Sequence, residues 1–379
     1  RCICFMIDHR FNTSALNSLL QEAVDSGIPG ISVAVANSES LIWSGVAGQA
    51  DIVTNTAVQT DHLFGIGSIT KTFVAAIILQ LVEEGLLSLD KTAVEILGAE
   101  VAGRVPNADL ATIAQLLNHT GGIPSWEDDP LWIKEGRGAE QQIDRLWESE
   151  QTLPYIEQSP VMNAPGEKYA YANTNHTLLG LVIEHVTGNN LVDDIHRRIL
   201  KPLNLSDIYL EGFQSVPSER LSKRYHYSTP EFERDAGIHS SFPTVREGLI
   251  DVSTSNLSVE WAAGGMVASA SDLACYAAAL QAGKLLQPQS MAFMKDWFPI
   301  KPGQEIGHGM FRVCTQAGYT LVGHMGAVLG YTASMQWFEG QDLAMVVLAN
   351  VGTMHIGQSL PNAATLAYQE KFLELVSGT

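Results

Sequence analysis

Residues 64–85 read FGIGSITKTFVAAIILQLVEEG, and the organisation of the whole chain turns on them. Phe64 to Gly85, which includes the apolar run Phe73 to Val82 broken only by Gln80, carries the strongest helical signal in the sequence and is predicted as a helix. Gly85 stands where helices commonly stop in the left-handed conformation. Ser68 then falls at the helix N-terminus, where backbone N–H groups are unpaired and the dipole is positive. Lys71 follows three residues later on the same face, within reach of the serine hydroxyl. Among Phe73, Val74, Ala75, Ala76, Ile77 and Ile78 its ammonium would be partly desolvated, with its pKa lowered. Such a lysine can serve as base for a serine nucleophile. The same spacing also describes an ordinary Ser cap followed by a solvated lysine, so the pair needs support from elsewhere.

Outward from this stretch, Ala15 to Ser26 has helical spacing with Ser14 as its cap, and Gly27-Ile-Pro-Gly30 breaks it. Ile31 to Ala36 and Leu41 to Val46 read as a hairpin through Asn37-Ser-Glu-Ser40. Strand-like runs return only near the far end, at Tyr319 to His324, Tyr331 to Phe338 and Leu343 to Asn350. Gly340-Gln-Asp342 turns between the last two, and a final helix spans about Gly357 to Val376. Between lie helical segments at Ile113 to Leu117, Leu178 to Val186 and Ser271 to Gln281, and the polar stretch Tyr225 to Ser255 with few strand signals. Strands at both ends and helices between predict an α/β (α+β) protein. A mostly antiparallel sheet built from both termini is flanked by helices, and an all-helical domain is inserted. Residues 1–62 and 260–379 would form the sheet domain and 63–259 the mainly helical one, with an active site in the cleft between them.

At 379 residues, 46% hydrophobic and 17% charged, the chain is too apolar for disorder. Its 41 acidic against 22 basic residues give a net charge of −19, a field that repels phosphate backbones and excludes nucleic acid as a partner. The longest apolar run is far short of a membrane span. Four cysteines (Cys2, Cys4, Cys275, Cys314) are too few for a disulfide scaffold and form no Cys-x-x-Cys pair. The chain opens at Arg1 rather than Met, which is expected of a processed or truncated chain whose signal peptide would have been lost with that end; none is expected in the sequence itself. Gly65-Ile-Gly67 lacks the third glycine of a dinucleotide fingerprint, and Lys71-Thr72 lacks the glycine before a P-loop lysine. No Gly-x-Ser-x-Gly elbow, His-Glu-x-x-His or Cys/His cluster occurs, so no metal and no cofactor is expected.

Two further segments bear on Ser68 and Lys71. Pro165-Gly-Glu-Lys-Tyr-Ala-Tyr171-Ala-Asn173 precedes a helix expected near Thr177 and contains Tyr-x-Asn. Gly323-His324-Met325-Gly326-Ala327 ends a strand and contains His-x-Gly. Singly, Tyr171 and His324 read as a core tyrosine and a strand histidine. In this order, with Leu116-Leu-Asn-His-Thr-Gly-Gly-Ile123 and Ala263-Gly-Gly-Met266 as flanks, the motifs resemble the serine β-lactamase/DD-peptidase superfamily. The likeness runs over about residues 15–375, nearest the D-alanyl-D-alanine carboxypeptidase, D-aminopeptidase, D-amino-acid amidase, class C β-lactamase and esterase branch.

The resemblance implies that Ser68 attacks a carbonyl and becomes acylated. Lys71 and Tyr171 would move the proton, and Tyr171 would need cations such as Lys71 and His324 to ionise as a base. Asn173 would bind Lys71 and a substrate amide. The N–H groups of Ser68 and of Ala327, after Gly326, would form the oxyanion hole. In the resembling carboxypeptidases a Thr or Ser hydroxyl stands where this chain has Met325, and an upstream arginine falls at Phe311, with Arg312 one residue off. Methionine offers no donor for a carboxylate. The expected function is therefore a serine hydrolase acting through an acyl-enzyme on D-aminoacyl amides, peptides or small esters. Carboxypeptidase or class C-like β-lactamase activity is the alternative, followed by acyl transfer or a silent binding or sensing domain. Partners are a small-molecule or peptide substrate, with D-amino acids allowed, and β-lactams as candidate inhibitors or substrates. The acidic composition raises a cationic substrate amine, with Glu127, Asp128, Asp129 and Asp251 as its candidates beside the plainer reading of a solvated acidic surface. The resemblance favours a secreted or periplasmic location.

Overall fold

The computed structural model describes residues 12–315, 318–357 and 364–377; Cys2 and Cys4 lie outside them. The first helix, α1 (Thr13–Asp25), is capped by Asn12, whose side chain accepts from the Ala15 N–H at 3.0 Å. Ser14, the expected cap, already lies inside the first turn. A nine-stranded antiparallel sheet follows from both ends of the chain. Its strands are β1 (Gly30–Ala36), β2 (Leu41–Asp51), β3 (Thr56–Ala57), β4 (Phe298–Lys301), β5 (Gln304–Ile306), β6 (Phe311–Cys314), β7 (Thr320–Val328), β8 (Tyr331–Phe338) and β9 (Ala344–Ala349). They run in the order β4-β5-β6-β7-β8-β9-β1-β2-β3.

Central β1 and β9 are buried along their whole length because both faces of the sheet are covered. Ile31, Val33 and Val35 pack with Leu16, Leu19 and Leu20 of α1 and with Phe372 and Leu373 of the last helix, α5 (Ala364–Ser377). Ala34 and Ala36 face the other way, toward the core that holds α2 (Thr70–Glu83) and α4 (Ala270–Gln281). The start of the expected closing helix, 358–363, lies outside the described residues.

The predicted helix 64–85 has a different beginning. Phe64–Gly65 pairs as a short strand with residues 267–268, and Gly67–Ile69 forms a 3₁₀ turn before α2 proper. Gly67 sits at φ +53, a conformation no helix interior uses. The polar stretch 225–255 also departs from expectation: Tyr225–Tyr227, Thr244–Arg246 and Leu249–Asp251 form a small sheet with Val351–Gly352. The helix expected near Thr177 is α3 (Asn173–Thr187), beginning four residues earlier. No helix among the described residues is long and apolar enough to cross a membrane. Cys275 and Cys314 are free thiols.

Candidate active site

The 3₁₀ turn places Ser68 at the mouth of a cleft whose opposite wall is the outer edge of β7. Pairing of β6 with β7 ends at Gly323, so residues 324–328 have no strand partner on that side among the described residues. The edge closes tightly on the turn. A Cβ on Gly67 would lie 2.7 Å from Ala327 N, and one on Gly326 would lie 1.9 Å from the Ile66 carbonyl oxygen. Only two glycines permit that approach, and it brings the Ser68 backbone beside Ala327.

Behind the serine, Lys71 is completely buried. Its Nζ lies 2.9 Å from Ser68 Oγ, 2.7 Å from Asn173 Oδ1 and 2.6 Å from the Ala263 carbonyl oxygen. Desolvation brings its pKa down to about 7, against the opposing pull of Glu127 and Glu260, while Arg137 lowers it further. A neutral amine has two N–H groups and one lone pair. Asn173 and Ala263 take the former, which leaves the lone pair for Ser68 O–H.

Tyr171 donates its O–H to Ser68 Oγ at 2.8 Å. Burial holds the phenol well above its ordinary value of 10, outweighing the lowering effect of the Ser68 hydrogen bond. The expectation that cations would help it ionise is corrected in two ways. Lys71 Nζ stands 5.0 Å from the ring centroid without reversing the shift, and His324 is no cation. The His324 side chain is buried, pushed down to about 3 by desolvation and then by Lys71, and its Nδ1 lies 2.6 Å from the Met325 carbonyl oxygen.

The N-terminus of α3 is held without a side-chain cap of its own. Asn173 N–H donates to Ser125 Oγ at 3.0 Å and Ala172 N–H to His119 Nδ1 at 3.2 Å. The His119 ring stacks on Tyr171 at 4.3 Å. These contacts pin Tyr171 and Asn173 from the 116–126 segment. Asn173 Nδ2 in turn donates to Glu127 Oε2 at 2.6 Å, and Glu127 pairs with Arg137 at 2.9 Å. Arg137, 1% exposed, also holds Glu260 at 2.7 Å. Sequence reasoning missed Arg137, Glu260, Ser125 and His119 as site residues. The flanking motifs at 116–123 and 263–266 pointed to two of the neighbourhoods, but Arg137 carried no local signal.

The structure brings Ser68, Lys71, Tyr171, Asn173, His324, Gly326 and Ala327 together. Phe311 and Met325 line the same cleft, with Met325 40% exposed and the Phe311 ring 5.0 Å from that of His324. Arg312 turns away, bound to Glu305 at 2.8 Å and Glu339 at 2.9 Å. None of Glu127, Asp128, Asp129 or Asp251 is among the lining residues described. Glu127 is tied to Arg137 and Asn173, while Asp129 caps a short helical turn through Leu131 and Trp132 N–H groups. Among the described residues no group of three or more His, Cys, Asp or Glu side chains converges as a metal site would.

The profile of the family described as Beta-lactamase matches residues 16–368. Esterase EstB of Burkholderia gladioli is 26% identical over an alignment of 383 positions, gaps included, that covers 94% of this chain and 94% of that protein. A D-stereospecific amidohydrolase from Streptomyces sp. superposes with a TM-score of 0.77 at 30% identity, covering 89% of this chain and 94% of its own. D-amino acid amidase from Ochrobactrum anthropi SV3, solved with D-phenylalanine, gives 0.81 at 25% identity, covering 97% and 98%.

Proposed function

The chain belongs to the β-lactamase family and is a serine hydrolase of the β-lactamase and penicillin-binding-protein superfamily; from that premise we propose that Ser68 is its nucleophile and that D-aminoacyl amides, peptides or small esters are its substrates. The observation that carries this reading is the convergence of Lys71 Nζ, at 2.9 Å, and Tyr171 Oη, at 2.8 Å, on Ser68 Oγ. Lys71 takes the hydroxyl proton as Oγ attacks the carbonyl carbon. The oxyanion is received by the N–H groups of Ser68 and Ala327. Tyr171, which keeps its proton, gives it to the leaving nitrogen or oxygen and is reprotonated by the Lys71 ammonium. Water then attacks the ester with the same groups acting in reverse.

Asn173 presents the carbonyl that orients Lys71, and His324 fixes the strand edge through the Met325 carbonyl. We take 63–259 as a mainly helical unit and 1–62 with 260–379 as the sheet unit. That division has Ser68 and Tyr171 on one side of the cleft and 324–327 on the other. Met325 and Phe311 in the cleft, with Arg312 engaged elsewhere, favour substrates lacking a free carboxylate over a carboxypeptidase role.

A hydrolysis panel tests the reading: p-nitrophenyl esters, D- and L-aminoacyl p-nitroanilides, nitrocefin and a D-Ala-D-Ala peptide, with intact mass after each. Acyl adducts on Ser68 with amide or ester turnover are expected. Turnover of none of these, or an adduct elsewhere, would overturn it. Added alcohol or amine nucleophile that diverts the product would instead assign acyl transfer.

A further inference from the structure

The cleft at Ser68 has a volume of about 390 Å³, enough for a small ligand, and much of its wall lies beyond the reacting groups. Strand register explains where it goes. Val313 is opposite Leu321, Phe311 is opposite Gly323, Gly323 is opposite Gln336, and Met325 is opposite Ser334. Residues two apart on a strand share a face, so these side chains form one surface across β6, β7 and β8, with side-chain-free Gly323 as a dip in its middle. Leu321 packs in the same cluster as α1 and α5, which puts this limb on the terminal-helix face of the sheet.

Phe311, Val313, Leu321 and Met325 make the limb apolar. Gln304, opposite Val313, is polar at its outer end, and two buried side chains break the pattern farther in. Ser334 is 3% exposed and Gln336 is 8% exposed, yet both line the cleft. Ser334 Oγ and Gln336 Oε1 have no hydrogen-bond partner among the described residues. Buried polar groups are nearly always paired, and two orphans in one wall of a cleft mark where a ligand's polar atoms belong. No Asp, Glu, Lys or Arg is among the described lining residues, and His324 is neutral, so a charged group would find no counter-ion among the described residues of the limb. A hydroxyl can donate or accept and a carboxamide oxygen accepts, a pair matched by the C=O and N–H of one secondary amide.

We propose that this limb is a substrate subsite for an uncharged, elongated apolar group carrying a secondary amide, with Ser334 and Gln336 as its hydrogen-bonding anchors. The proposal rests on the reading of Ser68 as nucleophile. Two matched ester series test it, one extended on the acyl side and one on the leaving side. Each compares an alkyl chain, the same length with an internal amide, and the same length ending in a carboxylate. In one series the amide form should exceed the alkyl form in kcat/KM by about tenfold, and the carboxylate form should fall below both. Ser334→Ala and the near-isosteric Gln336→Met, each checked by thermal unfolding, should cut the amide advantage by about 2–10-fold apiece, the worth of one neutral hydrogen bond. No amide advantage in either series, or an advantage that survives the double variant, overturns the subsite. Loss of the nucleophile reading would look different: Ser68→Ala would still hydrolyse the unextended acetate ester.

Discussion

Asn173 stands between an amine and a carboxylate: its carbonyl oxygen is 2.7 Å from Lys71 Nζ, and its amide nitrogen donates to Glu127 Oε2 at 2.6 Å. The carboxamide thus couples the proposed base to the buried Glu127–Arg137–Glu260 set. Lys71 is pushed down to about 7 by desolvation, while the two carboxylates hold it up and Arg137 lowers it. The base is active when unprotonated, so kcat/KM should rise with pH through an apparent pKa near 7. Tyr171 lies well above 10 and adds no deprotonation step between pH 6 and 9. Glu127→Gln removes a charge that raises Lys71, so the ascending limb should move to lower pH. A limb that stays in place, or moves up, would detach Glu127 from the base.

Ser68→Ala should abolish turnover and leave the fold intact. The side chain is small and half-buried, so packing loses little. Loss of the nucleophile in an analogous catalytic set costs on the order of 10⁶ in rate. A variant with native circular dichroism and more than about a hundredth of wild-type kcat would put the nucleophile elsewhere.

Tyr171→Phe keeps the ring that stacks on His119 and removes only the hydroxyl. A positioned acid/base hydroxyl contributes roughly 10²–10⁴ in rate. That loss is expected in kcat across pH 6 to 9. Near-wild-type rates would leave Lys71 and water to carry both proton transfers.

Removing Arg137 should destabilise the protein more than it disturbs any surface property. The guanidinium is buried with Glu127 and Glu260 and lies 4.8 Å from the Trp132 ring. Breaking a buried ion set by deleting one partner costs about 3–5 kcal/mol, because the remaining charges stay desolvated. Arg137→Met preserves most of the volume, so urea unfolding should show a lower midpoint at nearly unchanged slope. A change below about 1 kcal/mol would mean the carboxylates regain solvent or protonate at no cost.

What could be read from the sequence follows from how local each signal is. Ser68 and Lys71 are one helical turn apart, and Tyr171-x-Asn173 and His324-x-Gly326 are contiguous motifs, so spacing alone exposes them. Arg137 and Glu260 are 123 residues apart and meet only in the fold. No periodicity connects them. The same contrast holds for strands. Central β9 is a continuous apolar run and β1 is one broken only by Ser32, whereas β4 alternates half-buried and exposed residues, includes Pro299, and pairs only at the sheet edge. Such a short edge strand owes its form to its neighbour, here β5, rather than to its own residues. The register that sends Phe311 into the cleft and Arg312 to Glu305 and Glu339 also needed the pairing with β7, since adjacent strand residues face opposite ways.

That register leads to a prediction on specificity. Met325 and Phe311 line the cleft where the carboxypeptidase-like pattern would offer a hydroxyl and an arginine, and Arg312 is held by two carboxylates. A buried carboxylate without a charged or hydrogen-bonding partner costs several kcal/mol after relaxation. A share of about 3 kcal/mol corresponds to roughly a hundredfold in kcat/KM. A D-Ala-D-Ala peptide with a free C-terminus should therefore be a poorer substrate than its C-terminal amide or methyl ester. Met325→Thr restores a hydroxyl at an exposed position on β7, where a β-branched residue suits the strand. It should narrow the gap by improving the free acid, with the amide little changed. The measurement is kcat/KM for acid and amide forms of one peptide on both proteins. Should wild type prefer the free acid, a cation must reach the cleft, for which Arg312 would have to leave Glu305 and Glu339. Carboxypeptidase action would then replace amide or ester hydrolysis as the leading function.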